Sequence, residues 1–160
     1  MPEPVLQPAV SEPATTRSDQ PEAPTRAPRA QSTRRKARKR AIDILFESDL
    51  RGIDPLGTLA ERTADADPPV RDFTADLVRG VVAGQDHIDD RLSENLAAGW
   101  TLGRLPRVDR AALRIAVHEL DTAAVPADVI ISEAVALVSE LSTDDSPSFV
   151  NGVLGKIAAS

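Results

Sequence analysis

The sequence predicts an all-α fold, and three observations carry that prediction. Apolar residues recur at helical spacing from residue 42 to the C-terminus, and no segment alternates apolar with polar as a half-buried strand does. Aromatics make up only 2% of the chain (Phe46, Phe73, Trp100 and Phe149), so the core falls to Leu, Ile, Val and Ala, which suits helices packed on helices. Glycine and proline then cut the chain into seven or so short helical pieces around one core. At 160 residues and 41% hydrophobic, the chain is long enough for one domain with a real core.

Residues 1–33 read as a disordered tail, since the first thirty hold seven of the thirteen prolines with Ala, Thr, Ser and Glu between them. The folded domain is expected over 34–160. Its first helix begins in the run Arg34-Arg35-Lys36-Ala37-Arg38-Lys39-Arg40, six positive charges in seven residues. Positions 42, 45, 46, 49 and 50 share its apolar face, and Gly52 is its stop. A short helix follows from Pro55 to about Ala66, with Leu56, Leu59 and Ala60 inward and Pro68-Pro69 beyond its end. Val70–Leu96 keeps helical spacing through Phe73, Leu77, Val78, Val81, Ile88 and Leu92, while Gly80 and Gly84 predict two helices or one close crossing.

Gly99–Arg107 is a loop carrying Trp100. Asp109 to about Ala124, apolar over most of its circumference, is the expected centre of the bundle. Val129–Leu141 presents Ile130, Ala134, Leu137, Val138 and Leu141. Ser146-Pro147 reads as an N-cap followed by proline at the first helical position, opening a last helix with Phe149, Val150, Val153, Leu154 and Ile157 inward. Asn151 reads as a buried or capping hydrogen-bonder, and Gly152 as a place where helices approach closely.

Most catalytic chemistry lacks its residues here. There is no cysteine, so disulfides, thiolate metal sites and cysteine nucleophiles are excluded. The two histidines, His87 and His118, have no metal-binding spacing; no phosphate loop occurs; and the adjacent acidic pairs Asp89-Asp90 and Asp144-Asp145 point apart on a helix. The expectation is a protein that is not an enzyme and needs no cofactor or metal. With no signal-like start and no apolar run near ~18 residues, it is expected in the cytoplasm and off the membrane.

Charge speaks most directly to partners. The net charge of −6 divides into +5 over residues 1–40, from nine Lys/Arg and four Asp/Glu, and −11 over the remainder. A basic run beside an acidic body suits phosphate binding by charge and hydrogen bonds, with Arg stacking on unpaired bases. The same run also fits a solvated helix end or an address signal, and charge alone does not separate RNA from DNA.

Four segments in order resemble the NusB family of bacterial transcription antitermination factors. They are Ala37-Arg38-Lys39-Arg40-Ala41 with Leu45-Phe46; Val108–Leu120, similar to VDRAILRIAVYEL; Val125-Pro126 with Val129–Val135, similar to DVP and VxINEAV; and Asp145–Leu154, similar to DSxxFVNGVL. The Trp100–Pro106 loop is similar to that of actinobacterial members. Departures are His118 for Tyr, Ser132 for Asn, Gly155 for Asp, and the long tail. The resemblance implies a seven-helix bundle of two helical subdomains. It implies binding of boxA, a single-stranded RNA element of ribosomal RNA leaders, as a complex with the small-subunit ribosomal protein NusE that joins elongating RNA polymerase.

Carried over by motif, Arg34, Arg35, Lys36, Arg38 and Lys39 are expected to contact RNA, with Asp145, Ser146 and Phe149 at the same surface. Phe46 and Asp109 are expected toward NusE. Beside those roles, Phe149 equally suits the core and Asp145 a cap of the last helix. Two other functions fit the same residues. One is a relative of the RNA-binding domain of a ribosomal RNA cytosine methyltransferase, which would need a downstream catalytic domain not found by residue 160. The other is a helical adaptor that binds protein only.

Overall fold

The computed structural model describes residues 26–65 and 68–160 together with Pro2 and Pro4, and side chains in the helices from residue 32. Seven α-helices follow in chain order: α1 (Arg26–Arg51), α2 (Pro55–Asp65), α3 (Asp72–Ala83), α4 (Gln85–Glu94), α5 (Arg107–Thr122), α6 (Ala127–Leu141) and α7 (Ser146–Ala159). A 3₁₀ turn at Leu102–Arg104 lies between α4 and α5. No strand occurs among the described residues. Helix α1 begins inside the segment read as tail; apart from Pro2 and Pro4, the part of that segment before Arg26 lies outside the described residues.

The chain breaks fall where backbone chemistry puts them. Gly52 adopts φ 66° after α1, a conformation glycine takes without steric cost. Gly84 separates α3 from α4. Helix α5 closes on Ala123 at φ 52°, an unusual left-handed position for a residue with a Cβ, and Pro126 then starts α6.

Helix α5 is the hub. It packs on α1 and α3 on one side and on α4, α6 and α7 on the other, while α1, α2 and α3 pack on each other and α5, α6 and α7 do likewise. The two groups of helices share one core through α5, with Leu113, Val117, Val78, Leu92, Val138, Val150 and Leu154 sealed from solvent. Gly80 is the expected close crossing. A Cβ there would fall 2.1 Å from Cε1 of His118, so α3 approaches α5 through an imidazole lying on bare backbone. His118 is thus a boundary residue, half-buried on α5.

Three predicted faces are corrected. In α1 the buried stripe is Ala37, Arg38, Ala41, Ile42, Ile44, Leu45 and Ser48, which begins further upstream than the apolar spacing suggests; Asp49 and Leu50 are exposed. In α2 the inward residues are Thr58 and Leu59, with Leu56 and Ala60 in solvent. In α7 Asn151 and Gly152 are exposed, and nothing lies within 4 Å of a Cβ added at Gly152, so neither serves helix packing.

Candidate nucleic-acid interface

The basic run is the third and fourth turns of a continuous helix laid on the body, and helical geometry splits it into two sets. Arg35, Arg38 and Lys39 face α5 and α6. The Arg35 guanidinium donates two hydrogen bonds, from Nε and Nη2, to the Glu133 carboxylate at 2.8 Å each. Arg38 Nε donates to both oxygens of Glu119 at 3.0 and 3.1 Å, with both side chains buried. Lys39 Nζ meets Glu140 at 2.6 Å. These pairs perturb their members as expected: the Arg35 hydrogen bond holds the Glu133 carboxyl below its usual range, and Glu140 raises Lys39.

The second set faces outward. Arg34 and Lys36 are exposed, Arg40 is half-buried, and none of the three forms an ion pair among the described residues. Arg34 and Arg38 both lie over the Phe73 ring, at 5.6 and 5.5 Å, which anchors this end of α1 on α3. Thr74 Oγ1 donates to the Ala37 carbonyl and Arg71 to the Thr33 carbonyl, which adds two more ties.

The second expected region lies along the same track. Glu133 and Glu140 are seven residues apart on α6, about 10 Å at 1.5 Å per residue. Moving from Arg35 to Lys39 therefore follows α6 toward its C-terminal turn, Ser142–Asp145, and the start of α7. There Asp145 is exposed, and its side chain makes no cap hydrogen bond; its carbonyl accepts from the Phe149 N–H. Phe149 is half-buried, its ring centroid 6.2 Å from that of Trp100. Trp100 is 48% exposed, and the Arg104 guanidinium lies 5.4 Å over its ring.

Three expected contact residues are interior. Arg38 is 3% exposed, Ser146 1% and Asp109 2%. Ser146 Oγ donates to Asp109 Oδ2 at 2.8 Å and accepts from the Thr143 N–H at 3.2 Å, so these residues latch α7 onto α5. All three are buried here and join one helix to another. The physical reason is spacing: each falls on the same side of its helix as its apolar neighbours three and four residues away. Phe46 is half-buried, one turn before exposed Leu50.

The NusB family model matches residues 35–159. The chain belongs to the NusB family. A transcription antitermination protein NusB from Saccharopolyspora erythraea is 56% identical over 128 residues, covering 78% of this chain and 86% of the relative. The protein of that name from Nocardioides sp. is 54% identical over 127 residues, covering 79% and 93%. Among solved structures, T. maritima NusB aligns at TM-score 0.70 and 32% identity over 79% of this chain and 91% of that one. A crystal structure of antitermination factors NusB and NusE in complex with dsRNA aligns at TM-score 0.69 and 29% identity, over 79% and 96%. These NusB relatives are named as antitermination proteins and not as enzymes. Among the described residues no helix is long and apolar enough to cross a membrane.

Sequence reading missed Trp100 and Arg104 as parts of this surface. Exposed tryptophan beside arginine in a loop between helices was the available signal; the pairing of Trp100 with Phe149, 49 positions away, was not available.

Proposed function

We propose that this chain is a non-enzymatic antitermination factor that binds boxA-type single-stranded RNA of ribosomal RNA leaders in the cytoplasm. It does so in complex with NusE and joins elongating RNA polymerase through that complex. The observation that carries the reading is the unpaired outward face of α1. Arg34 and Lys36 stand exposed with no carboxylate partner among the described residues, beside a row of cations already neutralised by Glu133, Glu119 and Glu140. Unpaired surface cations on a rigid helix are preorganised for phosphate.

In this reading Arg34 and Lys36 meet the backbone directly, Arg35 and Lys39 do so by exchanging carboxylate for phosphate, and Arg38 holds α1 in place. Asp145 and Phe149 continue the surface, with Ser146 setting the turn beneath them. Phe46, with the exposed Leu50 one turn on, faces NusE, and Asp109 supports the start of α5 from inside. Residues 34–160 are the RNA-binding unit and residues 1–33 an accessory tail. The body's charge of −11 explains why a basic protein partner is needed: it offsets a field that repels RNA. The test is fluorescence anisotropy of a labelled boxA leader RNA with the chain alone, with NusE, and with both. Saturable binding that Arg34→Ala with Lys36→Ala weakens supports the reading, and binding indifferent to those substitutions overturns it.

A further inference from the structure

We propose that Glu133 is an autoinhibitory residue of the phosphate-binding face: its carboxylate occupies the Arg35 fork that an RNA phosphate would take, and RNA gains that fork only by displacing it. This rests on the RNA-binding reading above and deepens it to the regulation of that face.

Two glutamates of α6 reach cations of α1, and they differ in burial. Arg35 gives Nε and Nη2, one whole edge of its guanidinium, to the two Glu133 oxygens at 2.8 Å each. Arginine grips phosphate with the same paired donors, so that edge serves one anion at a time. The Arg35 side chain is 49% exposed and that of Glu133 only 7%. The cation therefore stands at the surface, within reach of a polyanion, while its carboxylate lies beneath it. Lys39 and Glu140, in contrast, are both open to solvent, at 42% and 55%.

Burial decides what release costs. When Lys39 leaves Glu140, water hydrates both, and an exposed pair is weak to begin with. When Arg35 leaves Glu133, an ionised carboxylate remains with little water around it, and stranding a buried charge is strongly unfavourable. The Arg35 hydrogen bonds hold the Glu133 carboxyl below its usual range, which keeps it charged at neutral pH. Arg38, the other cation acting on Glu133, does not take over, because its Nε is bound to Glu119 of α5. Every polyanion that takes the Arg35 fork bears this cost. The helix α1 thus binds phosphate more weakly than six positive charges in seven residues imply.

Two measurements test this on the full chain saturated with NusE. Anisotropy of labelled boxA leader RNA compares Glu133→Gln with Glu140→Gln, which remove the same charge from the same helix. Thermal melts record that both proteins are folded. Glutamine at 133 keeps an acceptor for Arg35 and leaves no charge to strand. Glu133→Gln is expected to tighten RNA binding at least fivefold, and Glu140→Gln to gain less than half as much. The second measurement uses the unsubstituted chain with ¹⁵N-labelled arginine. The Arg35 Nε resonance, assigned with Arg35→Lys, is expected to shift saturably with RNA while that of Arg38 stays in place.

RNA affinity unchanged or weakened by Glu133→Gln overturns the proposal and makes the pair a support that positions Arg35. Equal tightening by the two substitutions overturns it as well, since bulk repulsion by the acidic body then accounts for both. So does an Arg35 resonance unmoved at RNA saturation, because the fork then stays on Glu133. Each of these leaves the RNA-binding reading intact, whereas leader RNA bound by none of these proteins overturns both.

Discussion

Arg38→Ala separates a scaffolding cation from a contacting one. The Arg38 side chain is 4% exposed and that of Glu119 8%, joined by bonds of 3.0 and 3.1 Å across α1 and α5. Removing one partner of a buried pair strands the other charge, which costs about 3–5 kcal/mol. Here the lower end applies, because Arg38 Nη2 is already buried without a partner and the native pair is incompletely satisfied. Loss of the guanidinium over Phe73 acts in the same direction. A cost of about 3 kcal/mol lowers the melting temperature by roughly 10 °C for a domain of this size. The double variant Arg38→Met with Glu119→Leu is expected to recover most of that loss, since an apolar pair of similar volume avoids the desolvation of both charges. Circular dichroism melts of the three proteins make the comparison. A wild-type melt for Arg38→Ala, together with a loss of RNA affinity, would refute the interior placement and return Arg38 to the contact surface.

Arg34→Ala with Lys36→Ala is expected to lower the melt only slightly, through the loss of Arg34 from the Phe73 ring, and to flatten the dependence of log K on log salt by about 1.4, at ~0.7 per phosphate for single strands; anisotropy at several salt concentrations measures it. Gly80→Ala drives a methyl into the His118 ring and is expected to cost about 1–3 kcal/mol, with His118→Ala in the same chain restoring stability. Melting across acid pH checks Glu133: Arg35 depresses its folded-state pKa, so its contribution is present above about pH 4.5 and lost as pH falls through the lower folded value. Glu133→Gln is expected to remove that acid limb and to change little else in the profile.

Helix order and breaks were legible because they depend on local chemistry: Gly52 and Gly84, Pro68-Pro69, Pro126 and Ser146-Pro147 mark boundaries that the structure keeps within a few residues. Helix faces were legible where apolar residues dominate, as in α5 and in the Ile130, Ala134, Leu137 and Val138 stripe of α6. They failed where a polar residue is inside. Arg38, Thr58, Asp109 and Ser146 are all buried, and their polarity reads as outward even where apolar neighbours three and four residues on place the position inward. The basic run shows the same limit at the site. Its charge was plain, yet which cations are free depends on Glu119, Glu133 and Glu140, 81 to 101 positions later. Only the packing of α1 on α5 and α6 brings those carboxylates within reach.

The acidic body, at −11, is expected to make RNA binding depend on a basic partner. Calorimetry of boxA leader RNA with the chain alone and with the chain saturated by NusE measures it most directly. NusE is expected to tighten RNA binding at least tenfold, ~1.4 kcal/mol, and RNA to tighten NusE binding by the same factor, as linkage requires. Equal RNA affinity with and without NusE would mean that the acidic body does not oppose RNA and that no partner is needed.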